Sequence, residues 1–109
     1  MTIDLGEHRG APLIAPSGDI DMDSSPDLRK VLMTLVKEKA TPLLIDCTRV
    51  TYIDSSGIAT FVEGLKHVMS YGGRLKLFGM PETIREVFSF SRLDRVFEIY
   101  GTIDDALGR

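Results

Sequence analysis

Leu43–Met69 reads LLIDCTRVTYIDSSGIATFVEGLKHVM, and its three parts decide the fold. Leu43, Leu44 and Ile45 form an apolar run long enough for a buried strand. Thr48–Ser56 is polar and turn-like, and leads into Asp54-Ser55-Ser56-Gly57. From Ile58 on, apolar residues fall at 58, 61, 62, 65, 68 and 69, the spacing of a helix with one wet face. The stretch therefore reads strand, loop, helix, with two hydroxyls at the helix entrance. Function is expected at that entrance.

The flanks repeat the pattern. Upstream, Leu28, Val31, Leu32, Leu35 and Val36 follow helical spacing. Ser24 or Ser25 caps this helix, Pro26 fits its first turn, and Asp27 suits its positive end. Lys37 and Lys39 suit its C-terminal end, and Thr41-Pro42 stops it. Before it, Ser17–Asp23 reads as an acidic loop. Ile3 and Leu5 mark a first strand and Leu13–Ala15 a second, turned at His8-Arg9-Gly10. Pro12 and Pro16 weigh against that second strand, because proline donates no ladder hydrogen bond. Downstream, Tyr71-Gly72-Gly73 ends the central helix, and Leu75 and Leu77 alternate with Arg74 and Lys76 as a half-buried strand. Pro81 and Glu82 open a short helix with Ile84, Val87 and Phe88 inward. Val96–Tyr100 predicts a last strand, and Thr102–Leu107 a short helix capped by Thr102.

Strands alternating with helices imply a layered α/β fold. The expected fold is one domain over residues 1–109, with four or five strands and about four helices. Parallel strands joined by helices put their carboxyl ends on one rim. Gly18–Ser24, Asp54–Gly57 and Gly79–Pro81 are expected to share it. The first loop offers Asp21, Met22, Asp23 and Ser24; the second offers Asp54, Ser55, Ser56 and Gly57, with Ile58 behind them; the third offers Met80. Flexible Met22 and Met80 suit a binding surface.

Composition narrows the function. A net charge of -3, with 13 scattered Lys and Arg, argues against nucleic acid. The single Cys47 cannot form an internal disulfide and suggests a reducing compartment. The N-terminus lacks the basic and apolar segments of a signal peptide. No apolar run approaches the roughly 20 residues that cross a membrane. A cytosolic protein without membrane insertion is expected.

The serines carry two readings. In the plain one, Asp54 or Ser55 caps the helix. In the other, a serine is phosphorylated, gaining roughly -1.5 to -2 charges and three acceptor oxygens. The helix end would welcome that charge, whereas Asp54, Asp21 and Asp23 would resist it. Serine hydrolysis needs a positioned base. His67 lies three turns along the helix, His8 lies in a distant turn, and no G-x-S-x-G elbow exists. Asp19, Asp21 and Asp23 alternate but lack the glycine and glutamate of an EF-hand. No Cys/His cluster for zinc and no phosphate-binding Gly-x4-Gly-Lys loop occur. Cys47 reads as a small core residue. No metal, cofactor or catalytic residue is expected.

Leu44-Ile45-Asp46 followed by Val50-Thr51-Tyr52-Ile53-Asp54-Ser55-Ser56-Gly57-Ile58 resembles the signature of the STAS domain, found in anti-sigma factor antagonists and sulfate transporter tails. Gly18-Asp19-Ile20-Asp21 matches the family's motif before the first helix, and Gly72-Gly73-Arg74-Leu75 its lead into the next strand. Val87-Phe88, Leu93 and Phe97 resemble the later helix and closing segment. Ile14-Ala15-Pro16-Ser17-Gly18 departs from the family, whose second strand runs without proline.

The resemblance implies a mixed β-sheet packed with helices, and a binding switch without enzymatic activity. It implies phosphorylation at Ser55 by an anti-sigma factor that is also a serine kinase. The unphosphorylated form then binds the anti-sigma factor and frees a sigma factor, and a metal-dependent serine phosphatase resets it. Asp21 and Asp54 match the acidic positions beside the phosphosite. Two further expectations compete: a STAS subunit of a lipid-transport ABC complex, and a scaffold component of a stress-signalling assembly.

Overall fold

The chain opens with an antiparallel hairpin in the computed structural model, which describes residues 1–108. Arg109, the last residue of the expected domain, lies outside the described residues. Strand β1 (Thr2–His8) pairs with β2 (Ala11–Ile20) from Thr2↔Ser17 to His8↔Ala11. The two-residue turn has Arg9 at φ 53° and Gly10 at φ 83°, the left-handed pair that matches strand twist in a tight hairpin.

Strand β2 is longer than Leu13–Ala15 and absorbs part of the expected acidic loop, ending at Ile20. Its far edge holds two parallel partners in succession. Leu13 and Ile14 pair with β3 (Leu43–Asp46); Gly18, Asp19 and Ile20 pair with β4 (Val50–Ile53). Pro12 precedes the first of these ladders and Pro16 falls in the gap between them. The missing proline N–H groups therefore cost no parallel ladder bond.

Residues Val50–Ile53 read as loop in the sequence, and they form the strand that raises the sheet to six. The break before them is local. Asp46 Oδ1 accepts the Thr48 N–H at 2.9 Å and the Thr48 hydroxyl at 2.7 Å, drawing the backbone out of the ladder. Pairing resumes where Gly18 N–H donates to Arg49 O at 2.9 Å.

Strand β5 (Leu75–Phe78) pairs parallel with β3, and β6 (Glu98–Tyr100) with β5. The order is β1-β2-β3-β5-β6 with β4 beside β2, and only β1 runs antiparallel, so the sheet is mixed. Alternation along β3 divides the core. Leu43 and Ile45 face the main cluster, with Leu28 and Leu32 of α1 (Ser25–Lys37), Phe61 and Val68 of α2 (Ser55–Ser70), and Ile84 and Phe88 of α3 (Glu82–Phe90). Leu44 faces a smaller cluster under Ala106 of α4 (Ile103–Ala106). Phe88 links α3 to its neighbours, 6.2 Å from the Phe61 ring and 5.6 Å from Phe97.

Other expectations shift at the ends. A 3₁₀ turn at Leu93–Arg95 precedes β6, leaving Val96 exposed outside the strand. Val87 is only half-buried. Leu5 shares a strand face with Ile3 but is exposed on the edge strand. Thr102 caps α4 as expected, accepting the Asp105 N–H at 3.1 Å.

Candidate functional site

Two strand ends build the site. Strand β2 stops at Ile20 and β4 at Ile53, and the Asp54 N–H donates to Ile20 O at 3.1 Å. That bond sets the Asp21–Ser24 loop beside the start of α2. Gly57 is needed for the approach. A Cβ there would lie 2.6 Å from Ile53 Cγ1, 2.8 Å from Ile20 Cγ2 and 2.9 Å from Ile20 O.

Asp54 is the helix cap. Its Oδ1 accepts the Ser56 N–H at 2.9 Å and the Gly57 N–H at 3.1 Å. Ser55, the first residue of α2, is left free to do something else. It is exposed, and its hydroxyl makes no hydrogen bond among the described residues. Ser56 and Ile58 are half-buried beside it, and Gly57 is buried beneath.

The acidic loop is braced internally. Asp21 Oδ1 accepts the Asp23 and Ser24 N–H groups, both at 3.0 Å. The Ser24 N–H bond is the main reason the Asp21 carboxyl is held below its ordinary range. Ser24 does not cap α1 with its side chain. Its hydroxyl donates to Asp19 O at 2.7 Å and accepts the Asp21 N–H at 2.9 Å. Thr51 Oγ1 donates to Asp19 Oδ1 at 2.6 Å, tying β4 to the end of β2 just before the loop. Met22 stands at the loop tip, 73% exposed.

The charged side chains of the two rim segments are all acidic, and the Met1 ammonium lies beside the first segment, near Asp21. Asp19, Asp21, Asp23 and Asp54 lie on the rim, and residues 17–24 and 50–59 contain no Lys, Arg or His. A second feature adjoins it. A groove of about 720 Å³ runs between α2 and α3, lined by Ser55, Ile58, Ala59 and Val62 on one side and Val87 and Ser91 on the other. Glu63 and Lys66 line its far part, two to three turns along α2. The sequence reading missed this groove because it counted Ile58 and Val62 with the core stripe. The width of that stripe was the available signal: Phe61, Leu65 and Val68 fill the core, while Ile58 and Val62 remain half-buried and Met69 is exposed. Tyr52 is exposed on β4 opposite Asp19.

Met80 does not join this surface. It is 8% exposed and packs in the main core. Its loop turns the other way: the Gly79 N–H donates to Tyr100 O at 3.1 Å, and a Gly79 Cβ would strike Thr48. The cause is β4. Strand β5 stops level with Asp46, so the ends of β2 and β4 project beyond it.

Cys47 is fully buried, and loss of solvation pushes its thiol up to about 12. Among the described residues, no helix is long and apolar enough to cross a membrane.

Comparison with known proteins identifies the family and the fold. The family model for the STAS domain matches residues 2–106. The anti-sigma-B factor antagonist of Bacillus subtilis is 31% identical over 99 residues, spanning 91% of this chain and 90% of that protein. The solved structure of an anti-sigma factor antagonist from Mycobacterium paratuberculosis superposes with a TM-score of 0.88 at 26% identity, covering 97% of this chain and 90% of the other. The Bacillus cell fate determinant SpoIIAA, solved in its phosphorylated form, superposes with a TM-score of 0.75 at 24% identity, covering 97% and 96%.

Proposed function

This chain belongs to the STAS domain family, and we propose that it is a cytoplasmic anti-sigma factor antagonist switched by phosphorylation of Ser55. Unphosphorylated, it binds an anti-sigma factor with serine kinase activity through the Ser55 rim and thereby frees a sigma factor. The binding surface comprises Asp21, Met22, Asp23 and Ser24 on one loop, and Asp54, Ser55, Ser56 and Ile58 on the other, with Gly57 packed beneath them. The protein supplies no catalysis of its own. The Ser55 oxygen forms a bond to the γ-phosphorus of the kinase's nucleoside triphosphate. The bridging bond to the β-phosphate breaks, the diphosphate leaves, and the serine proton passes to a base on the kinase. A metal-dependent serine phosphatase hydrolyses the ester and resets the switch.

The observation that carries this reading is the free Ser55 hydroxyl, exposed on an acidic rim at a helix end that Asp54 already caps. A phosphate placed there meets carboxylates and no cation from the two rim segments, so it stays exposed and adds bulk and charge to the face on which the partner docks, without refolding of the domain. SpoIIAA in phosphorylated form supports the view that this fold tolerates the modification.

The test is mass spectrometry of the protein from its own cells, with site mapping across Tyr52–Lys66, joined to identification of what co-purifies. Phosphate on Ser55 and a bound anti-sigma factor are expected. Unmodified Ser55 in every growth phase, with a transport ATPase captured instead, would replace this reading with that of a transport-complex subunit.

A further inference from the structure

We infer that Asp54 is a positioning residue that holds a phosphate on Ser55 outside the end of α2. The inference rests on the phosphorylation proposed above and deepens it. A helix N-terminus ordinarily attracts an anion, through its free N–H groups and its positive end. Phosphoserine at the first helical position could therefore fold back and be neutralised. In this chain all of those N–H groups except that of Ser55 itself are taken. The Asp54 N–H donates to Ile20 O, and the Ser56 and Gly57 N–H groups donate to the Asp54 carboxylate. The Ile58 N–H donates to Asp54 O at 3.0 Å. Of the first turn, only the Ser55 N–H lacks an acceptor among the described residues.

The turn cannot swing away to offer another amide. Gly57 sits against Ile20 and Ile53 with no space for a single carbon, and the Asp54–Ile20 backbone bond pins its start. A phosphate on Ser55 stays outside, next to the Asp54 carboxylate and on the acidic rim. Its charge is left for an incoming partner to meet. Asp54 thus sets the sense of the switch as well as capping the helix.

The experiment uses the full chain with phosphoserine incorporated at position 55, followed by amide and phosphorus NMR from acid to neutral pH. With Asp54 present, the Ser56 and Gly57 amides should ignore the phosphate titration, and its second ionisation should lie above roughly 6, its usual value. In Asp54→Ala the two amides should move downfield together with the phosphate, and that ionisation should fall. Asp54→Asn, which keeps an acceptor for both amides and guards against loss of folding in the alanine variant, should leave the amides silent. Amides that track the phosphate with Asp54 intact, or that stay silent in a folded Asp54→Ala, would overturn the inference. Partner binding is scored separately on the same phosphoprotein by calorimetry. Unchanged affinity there would defeat the proposed function and leave the Asp54 assignment to the amides.

Discussion

The Asp54 N–H donates to the Ile20 carbonyl at 3.1 Å, and this one bond joins the end of β2 to the cap of α2. The acidic loop follows Ile20 directly, and Ser55 follows Asp54 directly. The bond therefore makes a single rim from segments that are distant in the chain, and whatever disturbs the contact should disturb both.

Gly57→Ala tests that contact. The added carbon would approach the Ile53 and Ile20 side chains and the Ile20 carbonyl oxygen within 3 Å. Side chains can yield, but the carbonyl belongs to the backbone that receives Asp54. Overpacking of this kind costs about 1–3 kcal/mol, which for a domain of this size lowers Tm by several degrees. Thermal unfolding followed by circular dichroism reads this directly. An unchanged Tm would mean that the first turn of α2 moves freely.

Ser55 variants should separate charge from bulk. Ser55→Ala should bind the anti-sigma factor and resist release. Ser55→Asp adds one carboxylate, a poor copy of phosphate, and about tenfold weaker binding is expected, or ~1.4 kcal/mol. Calorimetry with the purified partner gives both values. Equal affinities for wild type, Ala and Asp would end the switch proposal. Ser56→Ala should remain phosphorylated, as intact mass can show.

Much of this was legible in the sequence because local chemistry and global fold agree. The helices α1 and α2 follow from apolar spacing, and the Asp54–Gly57 loop lies where a strand gives way to a helix. Strand β4 was hidden for a physical reason. Its burial runs in-out-out-in from Val50 to Ile53, so it lacks the alternation that marks a strand. The length of β2 was hidden because the penalty for Pro12 and Pro16 depends on which edge is paired, and that is a tertiary fact. The groove between α2 and α3 depends on how two helices meet, and periodicity within one helix does not reveal it.

Acid should weaken the β5–β6 edge. Arg74 grips the Glu98 carboxylate with two N–H groups, Nε at 2.9 Å, and the Tyr100 hydroxyl donates to it at 2.7 Å. The Arg74 hydrogen bonds are the main cause that holds the Glu98 carboxyl below its ordinary range. A carboxyl depressed by folding contributes stability above its unfolded value, about 4.3, and loses that contribution as pH falls through the folded value. The pair lies at the surface, with Arg74 largely exposed and Glu98 partly covered, so the effect should stay within about 1 kcal/mol. Urea midpoints at neutral and strongly acidic pH should converge more in Glu98→Gln than in wild type. Identical pH profiles would remove Glu98 from the account.

Cys47 should be chemically silent in the native state. It is fully buried, and its thiol is pushed up to about 12 by loss of solvation. The reactive thiolate is therefore scarce, and what forms is out of reach. Labelling by a thiol reagent should be slow in buffer and should accelerate across the unfolding transition. Rapid labelling that ignores denaturant would require an opening of the sheet near the β3–β4 break.

The two methionines expected on the rim should part company. Met22 stands 73% exposed at the tip of the acidic loop, and Met80 is 8% exposed within the core. Truncation at Met22 removes surface that only a partner could cover, so Met22→Ala should leave Tm nearly unchanged and weaken anti-sigma factor binding. Truncation at Met80 leaves a cavity beneath α3, and Met→Ala in a core costs roughly 2–5 kcal/mol. Met80→Ala should thus lower Tm strongly, yet bind with near-normal affinity wherever it remains folded. The two readouts, melting and calorimetry, cross over between the variants. If Met22→Ala bound normally and Met80→Ala bound poorly while folded, the docking surface would have to be moved from the β2–β4 rim to the side of β5 and α3.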